Sequence, residues 1–276
     1  MTTLGTAGTL ARVGEYDTKI ASFSRIWEGG YFEGDPRDHY AWNSYRSRGY
    51  VSTLYVIYLT CIKPFINSGT NVLEIGPGRG AFTRTFVAEG AREVWALDAA
   101  PAAHTHFYDY VGHHDNVHYL QVSDCNLTEI ADDSIDYFFT FGVFCHLPNE
   151  MVADYIAHLP PKMRSSANGF MMVGDFEKYN KNADEQDALQ RLFSLKRYAI
   201  HRYVDRIARR LMPSHFAADK LDVAAGVSKR GEGGLGSWYH MSTDRACELL
   251  EQAGFEIVTR DVGANPRDPI IHFRKP

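Results

Sequence analysis

The chain has 276 residues, 45% hydrophobic and 23% charged, which suits one large domain or a core domain with a cap. A net charge of −5 argues against a protein that tracks a phosphate backbone, and the basic residues Lys196, Arg197, Arg202, Arg206, Arg209 and Arg210 read as a solvated helix face. Four cysteines without CxxC spacing argue against a zinc knuckle or a redox pair.

Residues 1–45 are rich in aromatics, and the piece from Glu28 to Pro36 is loop-like. A helix is predicted over 46–66, disturbed near its end by Pro64. Its apolar stretch from Val51 is too short to cross a bilayer and is broken by Lys63. The start of the chain does not read as a secretory leader, and few cysteines suit a reducing compartment. A cytoplasmic protein, clear of membranes and nucleic acid, is therefore expected.

From residue 71 the pattern alternates. Strands are predicted over Asn71–Ile75, Glu93–Leu97, Val117–Val122, Ile135–Phe141 and Gly169–Val173. Helices are predicted over Ala81–Glu89, Ala100–Val111 and Asn149–Leu159. Such alternation implies a parallel sheet with helices on both faces, and short runs such as Val-Trp-Ala-Leu fit strands buried on both sides. After Asp175 the alternation stops. A long amphipathic helix, Ala183–Leu211, precedes the glycine-rich run 231–236. Ser242-Thr243 then suits an N-cap for a helix over Asp244–Ala253, which Gly254 would end. Phe255–Val262 and Ile270–Arg274 read as an antiparallel pair of strands, their connection holding Pro266 and Pro269. The expected organisation is an N-terminal helical and aromatic segment (1–66), a core (67–177 and 241–276) and an inserted helical cap (178–240).

The segment Val72-Leu-Glu-Ile-Gly-Pro-Gly-Arg-Gly-Ala-Phe-Thr-Arg84 carries the most chemistry. A buried strand runs into glycines at 76, 78 and 80 and then into a helix. GxGxG is not the GxGxxG spacing of dinucleotide phosphate sites. Glycines allow close backbone approach to a ligand, and Glu74 adds an acidic group beside them. An acidic residue, Asp98, closes the second strand 18 residues after Gly80, where a carboxylate can accept both hydroxyls of a ribose.

These residues resemble the first two motifs of class I S-adenosylmethionine-dependent methyltransferases, whose first motif is (D/E)xGxGxG. The resemblance covers about residues 70–175 and 242–276. It implies a doubly wound, Rossmann-like α/β fold with a seven-stranded sheet, mostly parallel with an antiparallel last strand, plus a helical cap. It implies S-adenosylmethionine as cofactor and a methyl transfer, EC 2.1.1.-. By the same resemblance Glu74, Gly76, Gly78 and Gly80 cradle the cofactor, Asp98 binds its ribose and Ala99 packs near the adenine. Asp124 and the Cys125 amide meet the adenine edge, and Phe141 and Gly142 border the methionine part. A turn-forming role is the alternative for Asp124.

The segment Phe139–Pro148 lies at the carboxyl end of the fourth strand, where ligands of open α/β sheets sit. His146 there is the best candidate for a general base on a hydroxyl acceptor, with a purely packing role as the alternative. Asp175 and Glu177 follow the fifth strand and can orient an acceptor, or equally cap the next helix. Tyr31, Trp238, Tyr239 and His240 are candidate substrate walls. Histidines 104, 106, 113, 114 and 118 cross a helix, a loop and a strand start, so no metal is expected from them. The first motif also looks like that of ribosomal RNA adenine dimethyltransferases, but Phe141-Gly-Val-Phe-Cys145 lacks their Asn-Leu-Pro-Tyr motif. The leading expectation is methylation of a hydroxyl on a small sugar-like or natural-product molecule. An amine or carboxylate acceptor and a non-catalytic cofactor-binding protein stay open, as does a homodimer.

Overall fold

The computed structural model describes residues 35–38, 52–182, 221–228, 237–265 and 267–276. Tyr31, the Ala183–Leu211 helix and the run 231–236 lie outside the described residues.

Seven strands form one sheet: β1 (Asn71–Ile75), β2 (Glu93–Asp98), β3 (Val117–Gln121), β4 (Ile135–Thr140), β5 (Met163–Met172), β8 (Glu256–Thr259) and β9 (Ile270–Arg274). Their order is β3-β2-β1-β4-β5-β9-β8. β1 lies parallel between β2 and β4, with Val72 opposite both Val94 and Tyr137. β9 runs antiparallel to β5 and to β8, as the two proline-flanked strands were expected to. The order reverses direction between β1 and β4, so the crevice for a ligand opens beyond their carboxyl ends. All five residues of β1 are buried, which explains a run without polar alternation, its two polar residues being Asn71 and Glu74.

Helices cover both faces. α1 (Thr53–Ile57) widens into a π-helical turn, Tyr58–Ile62, closed by the Lys63 amide on the Tyr58 carbonyl at 2.9 Å. The helix stops there, just before Pro64, whose ring fits no further helical turn. α2 (Thr83–Ala88), α3 (Ala102–Thr105) and α4 (Phe107–Val111) pack with α1 on one face, around Phe86, Phe107, Tyr137 and Phe139. α5 (Asn149–His158) and α6 (Thr243–Gln252) cover the other, around Phe138, Ile156, Leu250 and Phe273. Ser242 caps α6 as its position suggested, its hydroxyl accepting from the Arg245 amide at 3.2 Å. Among the described residues no helix is long and apolar enough to cross a membrane.

Three expected elements differ. The helix over Ala100–Val111 is two helices, broken at His106, which takes a left-handed φ of 54°. Thr105 and Phe107 are both fully buried. Two residues apart, they cannot share one face of an unbroken helix, and the break turns both inward. β5 is twice the expected length, beginning at Met163. β8 is confined to Glu256–Thr259. A small ribbon of β6 (Val227–Ser228) and β7 (Trp238–Tyr239) stands apart from the main sheet.

Candidate active site

The glycine turn after β1 holds all three motif glycines at positive φ: 70° at Gly76, 55° at Gly78 and 92° at Gly80. They do different work. A Cβ on Gly80 would stand 2.2 Å from Val111 Cγ2, so this glycine lets α4 pack against the turn. A Cβ on Gly76 would stand 2.1 Å from Val143 Cγ2, which seats the β4 turn against the β1 turn. Gly78 donates its amide to Asp98 Oδ2 at 3.0 Å, while the Ala100 amide donates to Asp98 Oδ1 at 2.9 Å. The strand ends and the glycine turn are thereby tied through one carboxylate.

Burial pushes the Asp98 pKa up, against the pull of the amides of Ala100, Gly78 and Ala99. An ionised carboxylate offers about four lone-pair sites. The two bonds above leave acceptor capacity on both oxygens. Glu74 is deeper. It is almost fully buried and accepts from Thr83 Oγ1 at 2.5 Å, bracing the first turn of α2. Burial raises its pKa to about 8, with the charge of Asp98 adding to the effect.

The other expected cofactor residues ring the same strand ends. Asp124 is exposed after β3, its Oδ1 taking the Asn126 amide at 2.9 Å, the turn-forming arrangement named above as the alternative. Cys125 is buried beside it. Phe141 packs edge-on against Phe82, and Gly142 follows with φ 76°.

His146 ends a 3₁₀ turn, Phe144–His146, and its Nδ1 lies 3.3 Å from the Ser237 carbonyl. A carbonyl can only accept, so Nδ1 carries the proton in the neutral ring and Nε2 carries the lone pair. Desolvation lowers the His146 pKa to about 4, the Ser237 carbonyl opposing this and the charge of Arg267 adding to it.

Asp175 is spent on structure. Its Oδ1 accepts the amides of Glu177 (3.0 Å) and Lys178 (3.1 Å), capping the helical residues 176–182. Its Oδ2 accepts both the amide and the hydroxyl of Thr243, at 2.9 and 2.7 Å, at the start of α6. Burial would raise its pKa, but the bonds from Thr243 and Lys178 hold it below the ordinary value. Each carboxylate oxygen of Asp175 thus takes two donors, four in all. Glu177 is exposed.

β7 crosses the end of β5 closely: a Cβ on Gly174 would meet the Tyr239 carbonyl at 2.3 Å, and the Met241 amide bonds the Gly174 carbonyl at 2.9 Å. This crossing brings Trp238, Tyr239 and His240 to the crevice rim. Trp238 is buried against Phe176, and His240 Nδ1 accepts the Phe176 amide at 3.1 Å. Four histidines of the 104–118 tract take separate partners: His106 has Asp109, His114 the Val111 carbonyl, His118 Glu93, and His113 stacks on Tyr108. Among the described residues no group of three or more His, Cys, Asp or Glu is placed to hold a metal ion. Sequence reading missed Arg267 and Asp268, which the fold carries to the same rim from the β8–β9 loop. Their signal was only a charged pair between two prolines.

Residues 72–165 match the family described as "Methyltransferase domain". Among solved structures, the chain resembles an S-adenosylmethionine-dependent methyltransferase from Listeria monocytogenes, with TM-score 0.54 and 15% identity over 81% of this chain and 98% of that one. A second, from Mesorhizobium loti, has TM-score 0.52 and 14% identity over 77% and 93%. The 1,6-didemethyltoxoflavin-N1-methyltransferase of Burkholderia thailandensis, solved with 1,6-didemethyltoxoflavin and S-adenosylhomocysteine, has TM-score 0.50 and 15% identity over 92% and 88%. At these identities the likeness is one of fold. No curated protein matches the chain by sequence.

Proposed function

We propose that this chain, whose residues 72–165 match a methyltransferase domain, is a class I methyltransferase that transfers the methyl group of S-adenosylmethionine to a hydroxyl of a small molecule. The observation that carries the reading is Asp98, at the end of β2, tied to the Gly78 and Ala100 amides with acceptor capacity left over. When bound, S-adenosylmethionine supplies an activated methyl on a sulfonium, so most of the driving force lies in the cofactor. Asp98 holds the ribose through its two oxygens. Gly76 and Gly78 keep the turn open to a close approach. Phe141 and Gly142 border the reacting end, and the loop from Asp124 to Cys125 borders the adenine. The protein's main task is orientation, which can supply on the order of 7–11 kcal/mol.

His146 takes the acceptor's proton on Nε2, its ring fixed by the Ser237 carbonyl. Its low pKa keeps it neutral throughout the physiological range, and a base-dependent rate then stays level from about pH 8 to 5. Trp238 and Tyr239 form the wall on the acceptor side. A nitrogen acceptor is the second reading. It is favoured by the likeness to the toxoflavin-precursor N-methyltransferase and by the weakness of His146 as a base.

The test is calorimetric titration with S-adenosylmethionine and S-adenosylhomocysteine beside Asp98→Ala. Micromolar binding that falls by at least about tenfold in the variant supports the reading. A folded wild type that binds neither compound refutes it. Given turnover, His146→Ala costing about 10²–10⁴ in kcat supports the hydroxyl acceptor, and a loss of only a few-fold supports nitrogen.

A further inference from the structure

The loop between β8 and β9 enters the crevice at its acceptor end. β9 starts at Ile270 opposite Met172, the last residue of β5, so the loop's final residues lie beside the turns that end β4 and β5. Arg267 and Asp268 occupy that place. The Arg267 guanidinium lies over the Trp238 ring, 4.3 Å from its centroid. Its Nε donates to Asp268 Oδ2 at 2.6 Å.

Asp268 is wholly buried, and its Oδ1 has no hydrogen bond of good geometry among the described residues; burial pushes its pKa up, against the pull of Arg267 and of the Asp175 amide. The loop itself is pinned by Lys178, whose ammonium reaches Asp261 Oδ2 (2.5 Å), the Asn265 carbonyl (2.8 Å) and the Asp268 carbonyl (3.2 Å). Trp238 follows Ser237, whose carbonyl orients His146. One continuous wall therefore runs from the guanidinium to the imidazole.

A guanidinium stacked on an indole and held through Nε has a fixed plane, the form that recognises a two-oxygen or delocalised anion. It also stands next to a base that its charge weakens. A neutral alcohol in this place gains nothing from the cation. An anion offsets the cation's field and restores basicity to His146. The proton balance points the same way. Moving a proton from a phenol (pKa about 10) to a base of pKa about 4 is uphill by about six powers of ten. From an ordinary alcohol, a far weaker acid than a phenol, it is steeper still.

We propose that Arg267, held flat on Trp238 by Asp268, recognises an oxyanion on the acceptor, which is a carboxylate or an acidic, phenol- or enol-type hydroxyl. This rests on the methyltransferase reading and replaces its neutral hydroxyl by an oxygen acceptor that carries, or readily takes, a negative charge. Arg267 is the recognising residue, and Asp268 positions it.

The test uses the full chain saturated with S-adenosylhomocysteine. Binding of benzoate and 4-nitrophenolate at pH 8 is measured by calorimetry or ligand-observed NMR, with benzamide and benzyl alcohol as neutral counterparts. The anions are expected to bind at least about tenfold tighter than the neutral compounds, as hydrogen bonds to a charged group allow. Arg267→Met should abolish that preference, Arg267→Lys should keep part of it, and Asp268→Asn should reduce it. The affinity for S-adenosylhomocysteine should stay within about twofold in all three, which also reports that they fold. Benzoate alone showing the preference assigns a carboxylate, and 4-nitrophenolate alone an acidic hydroxyl. Equal binding of anions and neutral compounds, no anion binding, or a preference that survives Arg267→Met overturns the proposal. If the wild type does not bind S-adenosylhomocysteine, the cofactor reading falls and this proposal with it.

Discussion

Substituting Gly76 by alanine should cost the protein about 2–5 kcal/mol, in two separable parts. The first is backbone strain. Gly76 stands at φ 70° with its amide pinned to the Leu97 carbonyl at 2.7 Å, so it cannot rotate away. A left-handed conformation costs an L-residue about 1–2 kcal/mol. The second is overpacking. The new Cβ would lie 2.1 Å from one methyl of Val143 and 3.0 Å from the other, and valine is stiff about χ1. Such overpacking costs about 1–3 kcal/mol. Val143→Ala removes both methyls and by itself costs about 1–2 kcal/mol. The double variant should therefore be more stable than the sum of the two singles by the clash part, about 1–3 kcal/mol. Urea unfolding of the four proteins measures it. Gly90→Ala is the control: it has φ 79° but nothing within 4 Å of the added Cβ, so only the strain part applies. Additivity of Gly76→Ala and Val143→Ala within about 0.5 kcal/mol would refute the reasoning, because distant independent sites behave that way and touching ones do not.

Three further outcomes follow from the geometry. The folded His146 pKa of about 4 lies below the ordinary 6.5, so between these values the unfolded chain binds the extra proton and stability falls as pH falls. The loss approaches about 3 kcal/mol near pH 4; urea unfolding at pH 7 and 5 should show a shallower dependence in His146→Gln, and an unchanged dependence would show that the ring titrates normally. Asp175→Asn should destabilise by about 1–3 kcal/mol at pH 7 by weakening the bonds from Thr243 and the cap at 176–182, with kcat falling only as far as the fold loosens. The same contribution should fade as acid protonates Asp175, since its folded pKa lies below the ordinary value, and a pH-independent effect of the substitution would contradict that. Gly169→Ala should destabilise by about 1–3 kcal/mol, because its Cβ would press on the Phe273 ring at 2.2–2.7 Å; thermal unfolding near the wild-type midpoint would show that the ring moves aside.

Much of the sheet was legible because its signals are local. β1 and β9 have the ends the residues suggested, since each is a short apolar run bounded by turn residues. The antiparallel pairing of the last two strands was legible from the prolines in their connection. The break at His106 was not, since no glycine or proline marks it and the need to bury both Thr105 and Phe107 exists only once the helix has packed. Asp98 was legible for the same reason as β1: the glycine turn and the strand end are near in sequence. The helix cap by Asp175 was legible as one of two readings, but its bond to Thr243 was not, because that partner lies 68 residues away.

The commitment of Asp175 to Glu177, Lys178 and Thr243 bears on where charge can act in the crevice. An acidic residue there would favour a cationic acceptor, an amine above all, and would lend His146 the negative neighbour that raises basicity. The structure turns that carboxylate toward α6 and residues 176–182, and stacks a guanidinium on Trp238 whose charge reaches His146. Both changes push in one direction. They disfavour a protonated amine, which would meet the positive charge of Arg267, and they weaken the base that a neutral alcohol would need. A deprotonated or readily deprotonated oxygen suffers neither cost. A neutral ring nitrogen also avoids the repulsion, but it would draw nothing from Arg267. The decisive contrast is therefore the effect of Arg267→Met on binding of a carboxylate or phenolate against its effect on binding of an uncharged heterocycle of similar size. A loss confined to the anion places the methyl acceptor on oxygen chemistry. An equal loss for both would mean that Arg267 serves only to hold Trp238 in place.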